Sequence, residues 1–234
     1  MMMTSEPLAW VIDDEPAIVD IVTFALETQG FRWRSFHAAG PAWTALRSEQ
    51  PDLIVLDVML PDMTGIELCR RIRDRWNIPV LLLTAKGESS DRIRGLEAGA
   101  DDYVTKPFHP RELALRAQVL AQRHEAHSDE SLTSGDLRLQ VARHEVFVSS
   151  KRIMVTPSEF RVLHVLVEHA GETMPFARLV SAVWGDIDRI GNRELLKTTV
   201  YRLRRKLDAV HAGTGARIRS VRGVGYVFDV EPTE

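Results

Sequence analysis

Short runs of unbroken apolar residues punctuate the first half of the chain: LAWVI at Leu8–Ile12, LIVL at 53–56 and VLLL at 80–83. A shorter run lies at 103–104 and a weaker one at 31–36. A strand with one wet face alternates apolar and polar residues, whereas a strand buried on both faces does not. Between the runs lie amphipathic segments. In 17–28, Ile18, Ile21, Val22, Ala25 and Leu26 recur at helical spacing, Pro16 suits the first turn, and Gly30 marks the stop. Segments 66–76, 92–98 and 110–123 also read as helices. Five strands alternating with helices predict a parallel sheet covered on both faces.

The second half has another grammar. Residues 124–134 (HEAHSDESLTS) lack apolar periodicity and read as a linker. Strand patterns follow at 137–139, 145–148 and 153–155, with a turn signal at Ser149 and Ser150. Helical patterns occupy 157–169, 175–184 and 193–209. The chain then runs through RIRSVRGVGYVFDV, two β-type stretches around Gly223 and Gly225, a hairpin signal.

No apolar stretch approaches the roughly 20 residues of a membrane span, and residues 1–7 lack the basic start and apolar core of a secretory signal. The lone cysteine, Cys69, has no internal disulfide partner and sits in a helical pattern that predicts burial. These features point to a cytoplasmic protein. The net charge of −3 conceals an asymmetry, because residues 189–222 carry ten basic and only two acidic side chains. That local excess suits a polyanion.

Polar groups gather where the apolar runs end. The first ends in Asp13 and Asp14, the third strand in Asp57, the fourth in Thr84 and the fifth in Lys106. In a doubly wound sheet the carboxyl ends of the strands form one ligand-binding rim. Singly, these residues read as helix caps or solvated charges. Together, three carboxylates suit Mg²⁺, a hard cation with oxygen ligands, and a hydroxyl and an ammonium beside it suit a phosphoryl group. A bound cation also makes the adjacent acids tolerable.

The motifs VIDDE, LIVLDVMLPDMTG, LLLTA and GADDYVTKPF, over about 4–123, resemble the receiver domains of two-component response regulators. The resemblance implies a flavodoxin-like α/β fold with strand order 2-1-3-4-5. It implies that Asp57 accepts a phosphoryl group from a sensor histidine kinase. Asp14, Asp57 and the main-chain carbonyl of Met59 would bind Mg²⁺, with Asp13 reaching it mainly through water. Thr84 and Lys106 would hold phosphoryl oxygens, and Lys106–Pro107 would be cis. Thr84 and Tyr103 match the receiver switch pair. In the OmpR/PhoB-like subfamily, segment 92–118 forms a symmetric dimer face. By that resemblance Arg92 pairs with Glu112 and Asp101 with Arg116 across the two-fold axis, around Ile93, Leu96 and Leu113 or Ala114. The basic partner expected for Glu97 falls on Gln118.

In NRELLKTTVYRLRRKLDAV, Leu196, Val200, Leu203 and Leu207 form one buried stripe. The opposite face then carries Leu195, Thr198, Arg202 and Arg205, the residue types that fit a DNA major groove. Two helical patterns before it and the Gly-x-Gly hairpin after it resemble the winged helix-turn-helix output domain of the OmpR/PhoB family, over 135–231. That resemblance makes 193–209 the recognition helix, with Thr198 and Arg202 facing bases, Thr199 and Arg204 on phosphates, and Arg222 in the minor groove. Tyr201 stands where relatives often carry a basic residue. The loop 185–191 matches the segment that touches RNA polymerase in activators.

The leading expectation is a phosphorylation-dependent DNA-binding regulator that dimerises, a phosphoacceptor rather than an enzyme beyond slow Mg²⁺-dependent autodephosphorylation. A Mg²⁺-dependent phosphohydrolase working through an aspartyl phosphate is the alternative, but haloacid-dehalogenase-like phosphatases use a second acid two residues after the first, where Met59 stands. A protein-binding adaptor would not need the arginine-rich face.

Overall fold

The computed structural model describes residues 6–85, 94–121, 131–185 and 192–230. The chain divides into two compact units, Met1–Gln122 and Arg123–Glu234.

In the first unit, strands β1 (Leu8–Ile12), β2 (Arg32–Phe36), β3 (Leu53–Asp57), β4 (Val80–Ala85) and β5 (Asp102–Lys106) form a sheet of order β2-β1-β3-β4-β5. All its pairings are parallel. Helices α1 (Pro16–Glu27), α2 (Ala39–Ala45), α3 (Gly65–Arg73) and α4 (Pro110–Ala121) are fully described, and residues 94–97 are helical. The unbroken apolar runs have the expected cause. Trp10, Ile12, Ile54, Leu56, Val80 and Leu82 pack with Ala42, Ile66, Cys69 and Ile72 on one face. Ala9, Val11, Leu53, Val55, Leu81 and Leu83 pack with Val22, Leu26, Leu113 and Ala117 on the other. The period-two alternation thus divides each strand between two cores. Strand β2, whose RWRSF pattern was weakest, pairs only with β1 and lies at the sheet edge, with Arg32, Trp33 and Arg34 exposed.

Helix α2 has no side-chain cap of its own. Asp62, from the loop after β3, accepts hydrogen bonds from Ala39 N at 2.9 Å and Gly40 N at 2.7 Å. The Gly40 N–H foremost, with Ala39 behind it, holds the Asp62 carboxyl below its ordinary pKa.

The second unit opens with an antiparallel sheet of β6 (Ser131–Ser134), β7 (Leu137–Gln140), β8 (Glu145–Val148) and β9 (Lys151–Ile153). Residues 131–134, read from sequence as the end of the linker, are therefore a strand. SLTS pairs along an edge through its backbone and needs only alternate half-burial, so it leaves no apolar signature. Helices α5 (Pro157–Glu168), α6 (Phe176–Trp184) and α7 (Asn192–Val210) follow, with β10 (Met174–Pro175), β11 (Ile218–Val221) and β12 (Gly225–Phe228) in sheet order β10-β12-β11. Gly225 allows that pairing: a Cβ there would lie 1.8 Å from the Met174 carbonyl oxygen.

Candidate metal centre and nucleic-acid interface

Register builds the first site. Ile12 lies opposite Leu56, so Asp13 and Asp57 leave adjacent strands side by side. Asp57 lies opposite Leu83, Thr84 opposite Thr105 and Ala85 opposite Lys106. Parallel strands end on one rim, and neighbours there are about 4.8 Å apart. One carboxylate oxygen from each of Asp13, Asp14 and Asp57 falls within 4.8 Å of the others. Gly65 closes the floor. A Cβ there would sit 1.9 Å from the Asp57 carbonyl oxygen, so only glycine lets α3 start against the acid's own backbone.

Asp13 is 0 % exposed and Asp57 4 %, while Asp14 and Glu15 are solvated. Lys106 Nζ lies 2.8 Å from Asp13 Oδ2, 3.2 Å from Asp57 Oδ1 and 3.4 Å from Glu15 Oε1. Burial raises the Asp57 carboxyl to about 6; the Lys106 charge opposes the rise and the Asp13 charge adds to it. At neutral pH it is mostly ionised. Burial pulls Lys106 down, yet the Asp13 hydrogen bond and the Asp57 and Asp13 charges leave it above its ordinary value.

A cation fits this centre. One ammonium faces two buried carboxylates and a third on the rim, so negative charge is in excess where it is least hydrated. An anion fits beside it. The Thr84 hydroxyl is buried and makes no hydrogen bond among the described residues, a costly state for an isolated fold. Lys106–Pro107 is cis. Tyr103 is half-buried against the core on the α2 and α3 face. Met59 N lies 3.2 Å from Asp57 Oδ2, and the Met59 side chain is exposed.

The second site is the arginine-rich helix α7. It packs on α5, α6, β9 and the 3₁₀ turn Gly215–Arg217, so its flanks as well as its base are covered. Leu195, expected on the outer face, is buried. The exposed stripe is Glu194, Lys197, Tyr201, Arg205 and Asp208.

Known proteins resemble both units of the chain. Residues 9–118 match the response regulator receiver domain, and residues 150–228 the C-terminal domain of transcriptional regulatory proteins. The chain is 39% identical over 226 residues to regulatory protein VanRc of Enterococcus gallinarum, covering 94% of this chain and 97% of that one. It is 38% identical over 216 residues to the DNA-binding response regulator MtrA of Mycolicibacterium smegmatis, covering 92% and 94%. This chain belongs to the OmpR/PhoB family of response regulators. Among solved structures it is similar to the response regulator DrrB of Thermotoga maritima, an OmpR/PhoB homolog, with 32% identity, a TM-score of 0.51 and coverage of 96% and 99%.

Within this response regulator several expected side chains point elsewhere. Arg202, expected at bases, is 8 % exposed, with Nε 3.2 Å from Glu159 Oε1. Glu159 is 0 % exposed and also accepts from Lys206 Nζ at 2.6 Å and Thr156 N at 2.8 Å. It completes the capping box of α5 with Thr156, whose hydroxyl accepts from Glu159 N. Thr156-Pro-Ser-Glu159 has the capping spacing, so that half was legible in sequence. Its role as acceptor for α7 was not. Thr199, expected on phosphate, is buried and its hydroxyl donates to Leu195 O at 2.8 Å. Arg204 donates to Ile218 O at 2.9 and 2.6 Å and lies over the Tyr226 ring, tying α7 to the hairpin. Thr198 is half-buried, and Arg205 and Arg222 are exposed.

The expected dimer face is also altered. Asp101 is fully buried and paired inside the chain with Arg73, and its Oδ2 accepts from Val80 N at 3.0 Å. Arg116 instead meets Glu112 and, at 3.4 Å, Asp102. Of the two adjacent acids, Asp102 is the one beside Arg116, because the first closes the turn into β5. Leu96, Leu113 and Ala114 are buried within the monomer. Arg92, Ile93 and the polymerase-like segment 186–191 lie outside the described residues. No helix among the described residues is long and apolar enough to cross a membrane.

Proposed function

We propose that this regulator is switched at Asp57 and that the switch controls binding of double-stranded DNA by its C-terminal unit. The observation that carries the reading is the rim itself: a buried, ionised Asp57 with Lys106 Nζ 3.2 Å from it, two further acids within 4.8 Å, and a Thr84 hydroxyl without a partner among the described residues.

An Asp57 carboxylate oxygen attacks the phosphorus of a phosphohistidine on a sensor kinase. A P–O bond forms, the P–N bond breaks, and the imidazole leaves with its electron pair. Lys106 and Thr84 are placed to bind the equatorial oxygens as charge spreads over them. Asp13, Asp14, Asp57 and the Met59 carbonyl would hold Mg²⁺, which when bound offsets the charge of the acids and of the transferring group. Thr84 then moves toward the new phosphoryl oxygens and Tyr103 turns inward behind it. Loss of the phosphoryl group by slow hydrolysis resets the switch. Dimerisation follows on the face carrying Glu112 and Arg116, where Arg116 exchanges an acid of its own chain for one of a second copy. RNA polymerase is the further partner of the DNA-bound form, which acts in the cytoplasm.

The test is selection of DNA sites from a random pool by the full-length protein with Mg²⁺, with and without beryllofluoride. Enrichment of a direct repeat, spaced near one helical turn and stronger with the phosphoryl mimic, is the expected result. Equal enrichment in both arms removes the switch. Saturating Mg²⁺ is also expected to raise the melting temperature by mass action, and an unchanged value removes the cation.

A further inference from the structure

We propose that Tyr201 is a specificity-determining residue of the DNA interface, packing its ring on a thymine methyl in the major groove. The proposal rests on the DNA-binding reading above and goes beyond it by naming the reader. By sequence Tyr201 stands where relatives often carry a basic residue; its place in the tertiary structure suits another role. Arg202, the expected base reader, is engaged with Glu159 in the seam between α5 and α7. Tyr201 is 55 % exposed at the middle of the outer stripe, between Lys197 and Arg205. It is the only exposed large hydrophobic residue of that helix among the described residues, on a face otherwise charged. Arg205 Cζ lies 5.9 Å from the ring centroid, so the cation is drawn against one ring face. The hydroxyl makes no hydrogen bond among the described residues, so the whole outer edge of the side chain is available to a ligand.

The chemistry selects the occupant. A ring bracketed by Lys197 and Arg205 fits a surface that presents phosphates on both sides of an apolar patch. Duplex DNA offers that combination in the major groove, where the thymine C5-methyl is the apolar group on a base edge. Tyrosine loses little conformational entropy on contact, because it has two side-chain torsions.

The experiment uses the full-length protein with Mg²⁺ and beryllofluoride, the site it selects, and duplexes in which each thymine in turn is replaced by deoxyuridine. That replacement removes only the methyl group. Tyr201→Ala is expected to weaken specific binding about ten-fold or more. One deoxyuridine position is expected to weaken the wild-type protein about four-fold, the scale of one apolar carbon, and to have no further effect on Tyr201→Ala. Tyr201→Phe is expected to keep the thymine preference. Melting curves of the variants should overlay that of the wild type, since the side chain is exposed. Unchanged affinity and base preference in Tyr201→Ala overturns the proposal, as does additivity at every deoxyuridine position. If the wild-type protein selects no site, the DNA-binding reading falls and this proposal with it.

Discussion

The acid rim of the first unit and the basic helix of the second were both read as ligand sites from residue type and spacing, yet they met different fates. At the rim, Asp13, Asp14, Asp57, Thr84 and Lys106 all arrive together. Of the expected DNA contacts, Thr199, Arg202 and Arg204 turn to partners within the unit, while Arg205 on the helix, Arg222 in the hairpin turn and in part Thr198 face outward. The difference is geometric. Strand ends in a parallel sheet share one edge whatever packs on the faces. A helix has no such fixed edge, since its outward stripe depends on how many flanks its neighbours cover, and α7 is covered on several.

The comparison can be broken most sharply at Asp57. Asp57→Ala is expected to abolish labelling by acetyl phosphate, followed by mass spectrometry of the intact chain. Equal labelling at another carboxylate would mean that convergence on the rim does not define the acceptor.

Next comes the pair Arg202 and Arg205. If Arg202 positions α7, Arg202→Ala should destabilise the protein by about 2–3 kcal/mol in urea unfolding, because it leaves Glu159 buried with fewer partners. Arg205→Ala should change stability by no more than about 0.5 kcal/mol and reduce the salt slope of DNA binding by about 1. The reverse pattern would restore Arg202 to the base-facing set.

A somewhat smaller effect tests the electrostatics of the rim without divalent ions. Asp57 has a folded pKa of about 6 against an ordinary 3.8. A carboxyl raised in this way favours the fold while protonated. Its contribution is present below about pH 4 and is lost as pH rises through about 6. In chelator, Asp57→Asn should therefore match the wild type near pH 4 and exceed it above pH 6, by on the order of 2 kcal/mol. Curves that coincide across that window would show that Lys106 already balances the site.

The smallest expected change is at Asp62. Asp62→Ala removes the cap of α2 and should cost about 0.5–1 kcal/mol in chemical denaturation, with labelling at Asp57 retained. Loss of labelling would show that the loop carrying Asp62 also sets the acceptor.

By itself the sequence determined the parallel sheet, the two units and the composition of the acid rim. It could do so because two-sided burial demands unbroken apolar runs, and because a run's end is a position on a shared edge. Cys69 was likewise legible as buried from its place on an apolar helical face. Strand β6 was not legible, since an edge strand pairs through backbone groups that every residue has. The split between Asp101 and Asp102 was not legible either: neighbours in sequence, one closes an internal pair with Arg73 and the other meets Arg116. The tertiary structure alone decided which cations of α7 are free. A basic residue on a helix faces either a nucleic acid or a buried carboxylate, and Glu159 lies 43 residues before Arg202, a separation that no local pattern spans.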